Sequence, residues 1–275
     1  MSILTSGLVI GSLYALMAIG LSMVYGTLRM YNFTHGSLMM LGAYFTWTLY
    51  QHFNLAISVL LAITLMIILG MLSEKILIHP FLERENPTLI AVITTLAGMI
   101  FLDNLSHIIW GPRMKQLPVF LKGNFIVSAQ EILIIILAPT LLILLSMFLK
   151  STKIGRAIRA VEQNRESALL VGIDVAKTYM ITFGIAAGMA GVAGIFLGSI
   201  RFMTPTMGGN FLLKALIVVI LGGLGNMNGT LIAAYLVGII EASSMYYLGL
   251  YWTPVVIFLL MIIMLIYRPQ GILGE

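Results

Sequence analysis

Charge is missing from most of this chain. Residues 1–28, 30–73, 178–200, 215–240 and 242–267 contain no Asp, Glu, Lys or Arg. Hydrocarbon offers a backbone N–H or C=O no partner outside a helix or a closed barrel, so uncharged runs of this length read as membrane-crossing segments. A barrel would show short segments of alternating polarity, and none is visible. Composition agrees, with 60 % of the 275 residues apolar and 9 % charged, where a soluble domain carries about 25 % charged residues. A soluble enzyme or nucleic-acid binder with a mean hydropathy of +1.05 would have too few charges to cover its apolar surface. At about 20 residues per crossing, the apolar content suffices for about eight helices.

The pattern predicts an all-α, polytopic membrane protein built as a single domain over residues 1–275. Crossings are predicted near 3–25, 36–51, 55–72, 87–109, 128–149, 178–200, 230–248 and 252–267, with polar links at 73–86, 111–127 and 150–177. Residues 211–223 are apolar but short for a crossing, and the glycine-rich stretch Gly222 to Gly229 follows them. That combination predicts a broken or re-entrant segment, since interrupted backbone at membrane depth must be buried in protein or line a cavity. The first segment lacks a basic leader and a small-residue cleavage site, so it is expected to be a retained helix. No internal repeat is visible. The absence of cysteine excludes a disulfide framework, a Cys-ligated zinc and a thiol nucleophile.

The net charge of +5 matches cations held on the cytoplasmic side better than a nucleic-acid surface. With 150–177 placed inside, alternation collects ten Lys and Arg there: Arg29, Lys75, Arg84, Lys150, Lys153, Arg156, Arg159, Arg165, Lys177 and Arg268. Five remain on the other side: Arg113, Lys115, Lys122, Arg201 and Lys214. The bias puts 150–177 and the C-terminal end in the cytoplasm, with the N-terminal end outside unless 26–36 re-enters the membrane.

Four segments carry chemistry. In 150–177, Ile158, Val161, Ala168, Leu169 and Gly172 form an apolar stripe among charges, bracketed by Gly155 and Gly172. It reads either as a basic loop on anionic headgroups or as a helix docking into a groove of a peripheral protein. Glu162 and Glu166 favour the protein groove. Gly222 to Gly229 reads as a packed turn or as a pathway or gate element whose Asn226 and Asn228 amides face a zwitterionic solute. In Asn32-Phe33-Thr34-His35-Gly36, one histidine without a carboxylate neighbour is no metal site, leaving a proton relay or a hydrogen-bonded structural role. Of the acids at apolar spans, Asp103, Glu131 and Glu241, the last is the candidate for lining a polar path or pairing inside the bundle. Glycines 184, 188, 191, 194 and 198 give the small-xxx-small spacing that lets helices approach closely.

Ile154-Gly155-Arg156-Ala157-Ile158-Arg159-Ala160, followed by Ala168-Leu169-Leu170-Val171-Gly172-Ile173, resembles the coupling segment of LivH-type permeases of branched-chain amino-acid ABC importers. Asn32 to Gly36 with Leu41-Gly42-Ala43-Tyr44, Leu221 to Asn226 leading to Gly229 and Gly238-Ile239-Ile240-Glu241-Ala242, and the tail Arg268 to Gly274 resemble the same family in the same order. The likeness runs from Gly11-Ser12-Leu13-Tyr14 to the end; Thr34 stands where the family usually has Ala, and Asn226 where it has Ser. The resemblance implies a permease subunit of the bacterial inner membrane, not an enzyme. Its implied partners are a second, similar permease, two cytoplasmic ATPases and an external solute-binding protein. Gly155, Arg156, Arg159, Ala160, Glu162, Leu169 and Gly172 would couple to the ATPases; Asn32, His35, Gly223, Gly225, Asn226 and Glu241 would belong to the substrate path. The chain holds no Gly-x-x-x-x-Gly-Lys-Ser/Thr phosphate loop, so ATP and Mg would be bound by the partners and no cofactor by this chain. Urea or short amides as substrate, and an autonomous transporter or channel, are the alternatives. An intramembrane enzyme has no supporting motif.

Overall fold

The computed structural model describes residues 3–120 and 128–274; its regular elements among these are helices, and Lys115 and Met203 form an isolated antiparallel bridge. Lys122, counted above on the outer side, falls outside the described residues. The helices are α1 (Ile3–Leu28), α2 (Thr34–Tyr50), α3 (Leu55–Ser73), α4 (Pro87–Trp110), α5 (Ala129–Ser151), α6 (Lys153–Gln163), α7 (Arg165–Leu170), α8 (Val175–Ile200), α9 (Met207–Gly222), α10 (Met227–Tyr247) and α11 (Thr253–Tyr267). Six are long and apolar enough to cross a membrane, and α9 and α11 are shorter apolar helices.

The link predicted at 73–86 is shorter than expected. α3 continues as a wide π turn over Glu74–Ile78 and a 3₁₀ turn over His79–Phe81. Buried Glu74 is held there by His79, 3.3 Å away, so the charge that marked a link lies inside the helical run.

Side-chain size sorts the helices. Between helices in lipid there is little hydrophobic drive, so small residues that permit close backbone contact define the interior. The apolar stretch of α1, rich in Gly, Ala and Ser, is 94 % buried, and that of α4, which shows Ile100 and Ile108 outward, is 17 % buried. α1 and α8 form the centre: α1 packs along α10, and α8 along α2 and α3. Gly191 of α8 meets Gly42 of α2, Gly194 meets Met39, and Gly184 and Gly188 face Ile67 of α3, so the glycines of α8 serve helix packing. Met17, Met23, Met39, Met40 and Met66 fill the core.

After α1 the chain turns at Arg29, whose φ of 57° is left-handed, and runs back beside it. α2 therefore starts deep: the His35 Nε2 lies 3.0 Å from the Met17 carbonyl, mid-way along α1.

Candidate functional site

The polar segment folds into two short capped helices. Thr152 Oγ1 accepts the Gly155 N–H at 3.0 Å and starts α6; Asn164 Oδ1 accepts the Ser167 N–H at 2.9 Å and starts α7. α7 ends in a Schellman motif: Ile173 N–H donates to the Ala168 carbonyl and Gly172 N–H to that of Leu169, with Gly172 at φ 81°. Asp174 then caps α8.

Its inner face is fastened to the bundle. Ile158, Val161 and Ala168 are buried, and Gly155 sits against the backbone of Leu149 so closely that a side chain there would collide with it. Arg156 donates to the Ser151 carbonyl at 3.3 Å and Arg159 to the Lys150 carbonyl at 3.4 Å, two cations on the C-terminal end of α5 where the helix dipole is negative. Ala160 packs on the smaller core that includes Tyr179 and Val24. The Glu162 carboxylate presses against Gly26 at the end of α1. Burial pushes its pKa up, and nearby Arg29 and Arg159 pull it partly back. The outward tip is apolar: Leu170 is 88 % and Val171 75 % exposed, with Leu169 beside them. Sequence reasoning named Leu169 but missed the two most exposed residues; three consecutive apolar residues ahead of a glycine stop were the available signal.

Two cavities lie at opposite ends of a groove bounded by α1, α5 and α10. The inner one, about 810 Å³, is lined by Arg29, Arg159 and Glu162, by the lower half of α5 from Pro139 to Lys150, and by Gly225, Asn226 and Asn228. Asn226 is the cap of α10, accepting the Gly229 N–H at 2.9 Å, while its Nδ2 donates to the Leu273 carbonyl at 2.7 Å. Serine and asparagine are comparable N-caps, so either residue can start a helix at this point. Gly223, at φ 105°, lies against Gly271 and Gly274 of the tail and lines neither cavity.

The outer cavity, about 440 Å³, is lined by the first half of α1 up to Tyr14, by Glu131, Leu197, Arg201 and Phe211, and by Glu241 to Tyr246. Glu241, 2 % exposed, accepts the Tyr14 hydroxyl on Oε2 at 2.5 Å and pairs with Lys214 Nζ through Oε1 at 2.6 Å. Lys214 is the one charge in the stretch 202–240, a signal available in the sequence; nothing there singled out Tyr14. Between the cavities the groove is closed. Gly238 and Gly11 bring α10 and α1 into backbone contact, Ser12 and Tyr235 hydroxyls lie 3.3 Å apart, and Ile134 and Ala138 of α5 are fully buried.

Asn32 and His35 line neither cavity. Asn32 Oδ1 accepts the Thr34 N–H at 3.1 Å, and His35 is wholly buried beside Gly20. Thr34 donates to the Thr95 carbonyl at 2.9 Å and Ser37 to Asp103 at 2.6 Å, so this stretch ties α2 to α4. Among the described residues no cluster of three or more His, Cys, Asp or Glu could hold a metal ion.

Residues 3–265 match the family described as branched-chain amino acid transport system, permease component. The chain is 33 % identical to the high-affinity branched-chain amino acid transport system permease protein LivH of Escherichia coli, over 98 % of this chain and 94 % of that one. It is also 33 % identical to the corresponding permease protein BraD of Pseudomonas aeruginosa, over 99 % and 95 %. A solved structure, PsaBC from Streptococcus pneumoniae in complex with Fab, shares the fold with a TM-score of 0.53 at 9 % identity, covering 98 % of this chain and 93 % of that one.

Proposed function

Because the chain belongs to the family of branched-chain amino acid transport permeases, we propose that it is the membrane subunit of an ATP-driven importer of branched-chain or related small amino acids. It is a multi-pass membrane protein and a transport subunit, not an enzyme. It acts as one permease domain in the bacterial cytoplasmic membrane, beside a second permease of the same kind. Two cytoplasmic ATPases bind ATP and Mg, and an external solute-binding protein delivers the amino acid. The six long helices with α9 and α11 supply eight crossings, and the leg over residues 29–50 carries the chain back from the inner end of α1 to the outer start of α3. The Lys and Arg bias puts α6 and α7 in the cytoplasm.

One observation carries this reading: an apolar tip, Leu169-Leu170-Val171, projects from a segment whose other face is locked to the ends of α1 and α5. A partner that grips the tip moves α6, and α6 carries with it two of the helices that bound both cavities. Opening the groove at one end while closing it at the other is alternating access. Leu170→Glu puts a charge in the middle of that contact without touching the packed face. Loss of a central interface anchor costs about 2 kcal/mol or more, so leucine uptake and binding-protein-stimulated ATP hydrolysis in proteoliposomes should both fall at least about tenfold. Normal values for both would refute docking at this tip.

A further inference from the structure

The outer cavity carries a leftover pair of charges. Glu241 is already satisfied, with Tyr14 on one oxygen and Lys214 on the other. Arg201 on the same wall forms no ion pair among the described residues. Glu131, at the start of α5 and also lining the cavity, has a buried Oε2 that accepts no hydrogen bond among the described residues. The two elements that bear these groups are pinned to each other, since Gln130 Nε2 donates to Ser199 Oγ at 2.7 Å. A buried carboxylate oxygen without a donor is costly, and a site that holds one in place is built for a donor arriving from elsewhere. Apart from Ser6, the remaining wall is mostly apolar, with Ile10, Leu13, Leu197 and Phe211. Its volume lies within the range of small-ligand sites, roughly 300–1,000 Å³.

We infer that this cavity is a subsite for a free aliphatic α-amino acid: Glu131 takes the ammonium, Arg201 the carboxylate, and the apolar wall the side chain. The neutralised Tyr14–Glu241–Lys214 group holds the shape of the floor and contributes no net charge. The subsite rests on the importer reading for its place in transport, and it adds that the permease itself recognises both charged groups of the solute.

The chain has no cysteine, which permits a direct test. Ser6 lines the cavity, so Ser6→Cys in the assembled importer, reconstituted in proteoliposomes, can be labelled from outside by a small membrane-impermeant thiol reagent. Leucine should slow labelling, while isovalerate and isoamylamine at the same concentration, each with one of the two charged groups, should not. Added Glu131→Gln or Arg201→Gln should each raise the leucine concentration needed about tenfold, the effect of losing a charge-assisted hydrogen bond. No labelling from outside, no protection by leucine, or equal protection by the single-charge analogues would overturn the subsite. A parent importer that takes up leucine with ATP yet gives no protection sinks the subsite alone. Protection in an assembly without ATP-driven uptake upholds the subsite and sinks the importer reading.

Discussion

The two ends of the α1–α5–α10 groove are built on opposite plans. The inner end is wide, and its walls are helix termini, a capping residue, Arg29 and Arg159, joined to a segment that is packed on the bundle by one face and bare on the other. The outer end is about half as large, and its floor is a carboxylate fixed on both oxygens by a lysine and a tyrosine from different helices. Long, charge-assisted and partly solvated contacts yield at modest cost, whereas a buried, fully bonded ion pair has one arrangement. Motion therefore enters at the inner end, and the outer end keeps its shape until the α1–α10 seam shifts.

The seam is where the largest effect is expected. A methyl group at Gly238 would lie 2.5 Å from the Gly11 nitrogen and 2.6 Å from the Gly7 carbonyl oxygen, and neither backbone atom can rotate away. Gly238→Val should destabilise the permease by about 3 kcal/mol, the upper part of the range for overpacked sites, and should damage both cavities equally. Thermal unfolding of the purified complex measures it; a stability loss below about 1 kcal/mol would mean that the seam is loose and the ends are not separated by it.

The outer lock comes next, and its two halves should differ. Lys214→Ala strands a carboxylate that is 2 % exposed, with only the Tyr14 hydroxyl left. Glu241→Ala strands an ammonium whose side chain is 26 % exposed and can turn to water. Losing one partner of a buried pair costs about 3–5 kcal/mol, less where the survivor reaches solvent, so Lys214→Ala should be the more damaging by roughly 1–2 kcal/mol. Equal losses in thermal stability would show that water already reaches Glu241 and that the outer end is no more rigid than the inner.

Much of this contrast was legible in the sequence, but unevenly. Uncharged runs and glycine spacing place the helices, because a membrane forces each span to satisfy its own backbone. Gly155 and Gly172 bracket α6 and α7 since close approach and positive φ leave little choice of residue at those points. Long-range pairing was not legible. Nothing local to Tyr14 or Lys214 announces Glu241, 227 and 27 positions away. Glu74 misled because a charge marks a link only when it has no partner inside the helix. Asn32 and His35 carry a family motif, yet hydrogen bonds draw them into the wall between α1, α2 and α4, a placement that spacing along the chain does not encode.

The smallest effect tests the mobile end. Burial raises the Glu162 pKa above the ordinary carboxylate range, and Arg29 and Arg159 offset this only in part. Folding thus disfavours the ionised form. Where the native carboxyl holds a proton that the unfolded one has lost, stability falls as pH rises; below the unfolded pKa of about 4.3 the group contributes nothing, and above the raised native value the penalty is complete. Glu162→Gln should accordingly match the parent protein in acid and become slightly the more stable at neutral pH, with the gap opening between those limits. Thermal unfolding across that range reads the sign. A variant less stable than the parent at neutral pH would mean that Arg29 and Arg159 outweigh burial, making α6 a tightly clamped element and removing the difference in stiffness between the two ends of the groove.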